Sequence, residues 1–217
     1  MSDIFREVDE EVRREQLKKL WERYGALIIA AAVLFVVAIG GWRGYEWWQI
    51  KKAAEAGAAF EAAAQLAAEG KHQDAEAAFA KIAADGTASY RLLAKLREAA
   101  ELAKRDPKTA IDAYKKLAAD PSLGQTQQDF AAVRAGQLMV DQSGFDEIRA
   151  LLEPATAADR PFRHTARALL ALAAWRANDA AALRRWSDMA LADTETPVST
   201  RGQIEILLTL SADAGKT

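Results

Sequence analysis

The chain has 217 residues, with 29 Lys and Arg against 31 Asp and Glu and a formal net charge of −2. A charged fraction of 28% excludes a polytopic membrane protein, and the near-neutral balance argues against a nucleic-acid partner. The absence of cysteine excludes disulfides, thiol catalysis and Cys-ligated metal centres, while abundant alanine with few Pro and Gly is a helix-forming composition.

Residues 1–23 predict an amphipathic helix. Phe5, Val8 and Val12 share one stripe, and Leu17, Leu20 and Trp21 continue it after a break. Glu10–Arg14 and Glu15–Lys19 are favourable one-turn ion pairs. Such a segment serves either as a solvated extension of the apolar run after it or as a docking surface for a cytoplasmic partner.

Between Arg23 and Arg43 no side chain is charged. The 19 residues from Tyr24 to Trp42 would make a helix about 28 Å long, close to the hydrocarbon thickness of a bilayer. Trp21 and Tyr24 precede the run, and Trp42, Tyr45, Trp47 and Trp48 close it. These six aromatics are the expected interfacial anchors, because amphipathic rings settle at headgroup level. A soluble core helix rarely carries such a girdle at both ends. A cleaved signal peptide has a shorter apolar core behind a short basic segment, so an uncleaved single span is expected. Six basic residues in 4–23 against three in 43–62 place the N-terminus in the cytoplasm and the larger part outside, which in a bacterium is the periplasm. Residues 43–56 come next as a juxtamembrane linker or helix extension.

From residue 57 onward strand signals are absent and helix punctuation is frequent. Gly70, Asp85-Gly86, Asp106-Pro107, Asp120-Pro121, Gly144, Arg160-Pro161, Asn178-Asp179 and Thr196-Pro197 mark the joints. They predict helix pairs at 57–69 with 72–84, 88–104 with 108–119, 125–142 with 145–153, and 162–177 with 179–192. A last helix at 198–212 would cover the end of the stack. Ala75, Phe79 and Ile82 recur as Ala110, Tyr114 and Leu117 at an offset of 35. Ala182, Trp186 and Met189 repeat the small, aromatic, aliphatic order, whereas the unit around Phe145–Leu152 has lost it. A small residue lets two helices approach, and the bulky residue one turn later fills the groove beside it. Phe60, Leu93, Leu96, Leu138, Leu152, Leu170 and Trp175 are expected to join these in the core. This period and pattern resemble the tetratricopeptide repeat (TPR). The predicted fold is therefore all-α: an N-terminal transmembrane helix, then a TPR-like α-solenoid of about four helix pairs with a C-terminal capping helix. On that last helix Ile204, Leu207 and Leu208 form the packing stripe with Val198. Ile206 and Leu210 lie beside it as a candidate partner surface.

The layout also resembles a bacterial inner-membrane family, the ancillary SecYEG translocon subunit. The local likeness lies in Ile4-Phe5, in Leu17-Lys-Lys-Leu-Trp21-Glu-Arg-Tyr-Gly25 and in the closing Gly41-Trp42-Arg43. That resemblance implies a short cytoplasmic N-terminus, one span and a periplasmic TPR-like domain (residues 57–217). It implies association with the Sec protein-export translocon and with periplasmic chaperones.

No catalytic constellation is visible. His72 and His164 are far apart and predict surface or interhelix roles. Glu98, Glu101 and Asp112 predict solvated helix faces. Gly215-Lys216-Thr217 echoes a phosphate loop, but Leu210 stands where its first glycine belongs. Gly40 and Gly44 form a G-x-x-x-G at the edge of the span with Arg43 inside it, which suits interface flexibility better than helix dimerisation. No cofactor, metal or small-molecule substrate is expected. Three functions fit: a membrane-tethered scaffold of the export machinery, an envelope or cell-division assembly factor of the same architecture, or a membrane-anchored enzyme whose site is not legible.

Overall fold

A computed structural model describes the backbone of residues 3–214 and the side chains of residues 14, 15 and 17–212. The side chains of Phe5, Val8, Glu10 and Val12, and the segment Gly215-Lys216-Thr217, lie outside the described residues. Among the described residues the regular elements are all helical. They are α1 (Asp3–Ala68), α2 (His72–Asp85), α3 (Ala88–Arg105), α4 (Pro107–Ala118), α5 (Gln125–Met139), α6 (Phe145–Leu152), α7 (Arg163–Arg176), α8 (Ala180–Ala192) and α9 (Val198–Ala214). A 3-10 turn over Glu153–Thr156 follows α6. The chain divides after Glu55 into two compact units.

The expected helix at 57–69 is not a separate element. It is the last part of α1, because no proline and only Gly57 interrupts the alanine-rich stretch from Lys52 to Ala68. What ends α1 is Gly70, at φ +76°. The Lys71 N–H donates to Leu66 O at 2.9 Å and the Gly70 N–H to Ala67 O at 3.1 Å, a Schellman closure that needs the left-handed residue. Asn178, at φ 55°, closes α7 the same way, with its N–H on Trp175 O and that of Asp179 on Ala174 O, both at 3.0 Å. Asp179 then caps α8 by accepting from the Ala182 N–H at 2.9 Å. Asp106 caps α4, accepting from the Thr109 N–H at 3.1 Å, with Pro107 in the first turn where no donor is needed.

The second unit is an all-α solenoid whose helices pack in chain order. Its interior falls into two clusters. Ala63, Ala75, Phe79, Ile82 and Ala94 form the first, with the Phe60 ring 5.2 Å from that of Phe79. Tyr114, Met139, Ile148, Leu152, Leu170, Leu183 and Trp186 lead the second. Helix α3 serves both, giving Ala94 to one and Ala99 to the other. From α2 onward the closest-packed neighbours among the described residues are α2 with α3, α4 with α5 and α7 with α8, so α3 and α4 pack more on the flanking units than on each other. Each helix thus has two neighbours to bury against, which a lone hairpin lacks.

The third unit departs from the others in shape. Pro154 cannot donate and restricts the residue before it, so α6 stops at Leu152 after eight residues and tightens into the 3-10 turn. The small residue has moved to the partner helix: a Cβ on Gly136 of α5 would lie 2.8 Å from Leu152 Cδ1. Helix α9 packs on α7 and α8. Arg201 fastens its start, donating to Thr196 O at 3.1 Å and to Leu191 O at 2.9 Å in the last turn of α8, where a cation also meets the helix dipole.

Candidate membrane segment and interaction surfaces

In the first unit the aliphatic and aromatic side chains from Leu27 to Ile39 stand exposed. Only 6% of the most apolar 18-residue window of α1 is buried, where a soluble core helix would be mostly buried. Each large apolar side chain left in water forgoes about 1.5–3 kcal/mol of burial, and nine of them between Leu27 and Ile39 stand exposed. The segment is one candidate membrane span. The six aromatics flank it and are all exposed: Trp21, Tyr24, Trp42, Tyr45, Trp47 and Trp48. Gly25 makes room for Trp21, whose ring lies 3.3 Å from where a Cβ would sit. Lys19 pairs with Glu15 at 3.8 Å, both well exposed, so the pair contributes little.

In the second unit Ala75, Phe79, Ile82, Ala110, Tyr114, Leu117 and Trp186 are buried and Ala182 is half-buried. The Tyr114 hydroxyl donates to Leu96 O at 3.3 Å, which satisfies the one polar atom of that ring. Met189 is not a core residue: it is 37% exposed, and Ala190 takes the buried position. The stripe of α8 runs Leu183, Trp186, Ser187, Ala190, spaced three and four, and Met189 falls one residue off it. Leu93 is likewise exposed, beside buried Ala94. Val198 is exposed at the first turn of α9, while Ile204 is fully buried and Leu207 and Leu208 half-buried.

Grooves open on this unit, two of them among the described residues of its helices. One, about 390 Å³, lies between α5, α7 and α9 and is lined by Gln137, Ala168, Leu169, Leu172, Gln203 and Leu207 among others. Ile206 sits on its lining, exposed, and Leu210 stands exposed one turn on, outside that lining. The other, about 250 Å³, lies between α3 and α4 and alternates charge, with Lys95, Glu98, Lys116 and Asp120 around Leu102. Burial, reinforced by the nearby Glu76 carboxylate, raises the Glu98 carboxyl above its usual range.

Glu101 is not on a solvated face. It is buried, with His72 Nδ1 2.7 Å from its Oε2, and Arg105 of the same helix reaches Glu76 at 2.9 Å. Together these tie α2 to α3. Asp112 is exposed and Glu98 half-buried. Further ion pairs join helices about one repeat apart: Lys115 with Glu147, Arg176 with Asp141, and Arg185 with Glu153.

A polar cluster lies at the α7 start and the α8–α9 loop. Asp193 Oδ2 accepts from Arg163 Nε at 2.8 Å and from buried Arg167 at 2.9 Å. The Arg163 hydrogen bond, opposed by desolvation, holds this carboxyl far below its ordinary range. Asp193 therefore stabilises the fold above the ordinary carboxylate pKa, and that contribution is lost as pH falls through the depressed one. Arg167 also donates to Thr156 O at 2.8 Å and Met189 O at 3.2 Å, so its buried guanidinium is well partnered. The Thr196 hydroxyl spends its proton on Ala190 O at 2.6 Å, so at 2.9 Å it accepts from His164 Nδ1–H, which assigns the tautomer. Burial, then the Arg163 charge, lowers the His164 pKa and favours that neutral form. His164, Asp193 and Glu195 converge within 4.8 Å, a spacing that metal ligands also adopt. Their donor atoms, however, face Arg163, Arg167 and Thr196, and an added cation would have to displace guanidinium groups. The cluster locks the α7–α9 corner.

A family described as the tetratricopeptide repeat-like domain matches residues 18–184. The chain belongs to that family. No curated protein and no solved structure matches it. The TPR-like domain points to a protein–protein interaction role, and a fold of this kind is typically a scaffold and not an enzyme. The paired small and aromatic residues of α2 and α4 carry that assignment in the sequence. The burial of Glu101 and Arg167 carries no local signal, because their partners are remote along the chain.

Proposed function

We propose that the protein is a non-enzymatic, membrane-anchored scaffold, an accessory subunit of the Sec protein-export translocon that links it to periplasmic chaperones. Residues 1–23 would lie in the cytoplasm, 24–42 in the inner membrane, 43–56 at its surface and 57–217 in the periplasm. The observation that carries this reading is an exposed, charge-free helical segment in the same chain as a TPR-like domain. The excess of basic residues before the span supports the orientation. The N-terminal likeness from Leu17 to Gly25 supports the translocon as partner. Ile206 and Leu210 on α9 are the proposed contact residues, since exposed apolar side chains beside a groove suit a partner's helix or strand.

A photo-crosslinking residue at 206 or 210 in intact cells tests the partner. Translocon subunits or periplasmic chaperones among the captured proteins support the proposal. Capture of envelope-assembly or division proteins alone moves the function to the second reading, an assembly factor of the same architecture. Orientation is tested separately with Asp3→Cys and Leu210→Cys, each the sole thiol in the chain. An impermeant reagent applied to spheroplasts should label only the second, and labelling of the first alone reverses the topology.

A further inference from the structure

Beyond the span, α1 carries two stacked pairs one turn apart. Lys51 Nζ lies 5.5 Å from the Trp47 ring centroid, and Lys52 Nζ 4.1 Å from that of Trp48. Helical side chains lean toward the N-terminus, so each lysine four residues on brings its ammonium back to the level of the ring before it. The four positions occupy one side of the helix, within an arc of about 140° at 3.6 residues per turn. Trp47 and Trp48 stand five and six residues past Trp42, about 8–9 Å along the axis, at the outer edge of a headgroup layer about 5–7 Å deep, and their rings lean back toward it.

The neighbouring polar side chains are already engaged. Arg43 pairs with Glu46 at 3.1 Å, and Gln49 donates to the Tyr45 hydroxyl at 2.5 Å. Glu55 lies one turn beyond Lys51, yet neither lysine makes an ion pair among the described residues. Each ammonium has three donors, and an aromatic face attracts the charge without accepting them in the way an oxygen does. Two exposed cations held over interfacial rings on one side of the helix present a surface complementary to an oxygen-rich anion at that level.

We propose that the face formed by Trp47, Trp48, Lys51 and Lys52 binds the headgroup of an anionic phospholipid. The lysines would donate to its phosphate while the rings sit against its glycerol region. A zwitterionic headgroup offers the same phosphate but brings its own cation, which competes with the lysines. An anionic one leaves a net charge for them to neutralise. This proposal rests on the reading of residues 24–42 as a membrane span.

The full chain is reconstituted into vesicles of phosphatidylcholine alone and into equimolar phosphatidylcholine and phosphatidylglycerol. Flotation with the first tests the span. Native mass spectrometry of lipids retained from the second tests the site. The wild-type chain should retain phosphatidylglycerol in clear preference. That preference should fall on the order of fivefold in Lys51→Gln and again in Lys51→Gln/Lys52→Gln. It should be unchanged in Lys81→Gln, an exposed lysine of α2. Glutamine keeps the helix propensity of lysine, and circular dichroism checks the fold. A chain that floats but shows no preference, or a double variant that keeps it, overturns the lipid site. A chain that does not float with phosphatidylcholine overturns the span.

Discussion

In residues 24–42 alanines stand exposed beside large aliphatic side chains. In the TPR-like domain ten alanines, Ala63, Ala75, Ala94 and Ala110 among them, have no exposed surface at all. One residue type is put to opposite uses. In the repeats a methyl group is a spacer that admits a neighbouring helix, and Phe79, Tyr114 and Trp186 fill the volume this leaves. In residues 24–42, a candidate membrane span, the same methyl groups stand exposed among the large aliphatic side chains. Alanine content alone does not separate the two. What separates them is whether charge returns on the opposite face of the helix, as it does in α4 with Lys108, Asp112 and Lys115 and does not between Arg23 and Arg43.

The sharpest way to break this comparison is to divide the chain. Full-length protein should remain with membranes under alkaline carbonate extraction. A fragment beginning at residue 53 should be soluble, helical and cooperative on thermal unfolding, because both core clusters lie beyond that point. A fragment that aggregates would mean that the first unit supplies part of the core.

Within the fragment, Phe79→Ala should cost about 3–5 kcal/mol by denaturant unfolding, since the side chain is fully buried against Phe60. Met189→Ala, at the position that the repeated pattern nominates on α8, should cost under about 1 kcal/mol because that residue is already more than a third exposed. Equal costs would restore the register that the structure shifts by one residue.

Much of the domain is legible because its punctuation is chemical. Gly70 and Asn178 supply left-handed closures, and Asp106 and Asp179 supply side-chain caps. These act within one turn, so a local pattern contains them. The illegible parts depend on partners farther off. Glu101 reads as a surface carboxylate until His72, 29 residues earlier, is brought to its side. Met189 and Ala190 are both apolar, and only the direction of the neighbouring helix decides which faces inward. The run-on of α1 past residue 57 escapes the sequence for the opposite reason: regularity of spacing suggests a joint where no breaker stands.

Gly136→Ala probes the close approach that replaces the repeated pattern in the third unit. Alanine for glycine inside an exposed helix ordinarily stabilises by about 0.5–1 kcal/mol. At Gly136 the new methyl would meet Leu152 at 2.8 Å, and Leu152 is fully buried with little room to move. Overpacking of this kind costs about 1–3 kcal/mol, so the sign should reverse to a net loss in denaturant midpoint. A gain would show that α6, only eight residues long, shifts easily on α5.

The smallest expected effect on stability is the most informative for function. Ile206 and Leu210 resemble the span in being apolar and exposed, yet they belong to a helix whose other face, at Ile204, is fully buried. If they are a partner surface, Ile206→Ser/Leu210→Ser should leave thermal stability within about 0.5 kcal/mol of wild type, as surface substitutions do. The same variant should lose protein captured by a crosslinker placed at the neighbouring exposed Gln203. Ile204→Ala is the matched contrast, expected to cost about 2–5 kcal/mol through the cavity it leaves. A double serine variant that unfolds early would place both residues in the packing of α9. One that is stable and still captures the same partners would assign the contact to another face of the domain.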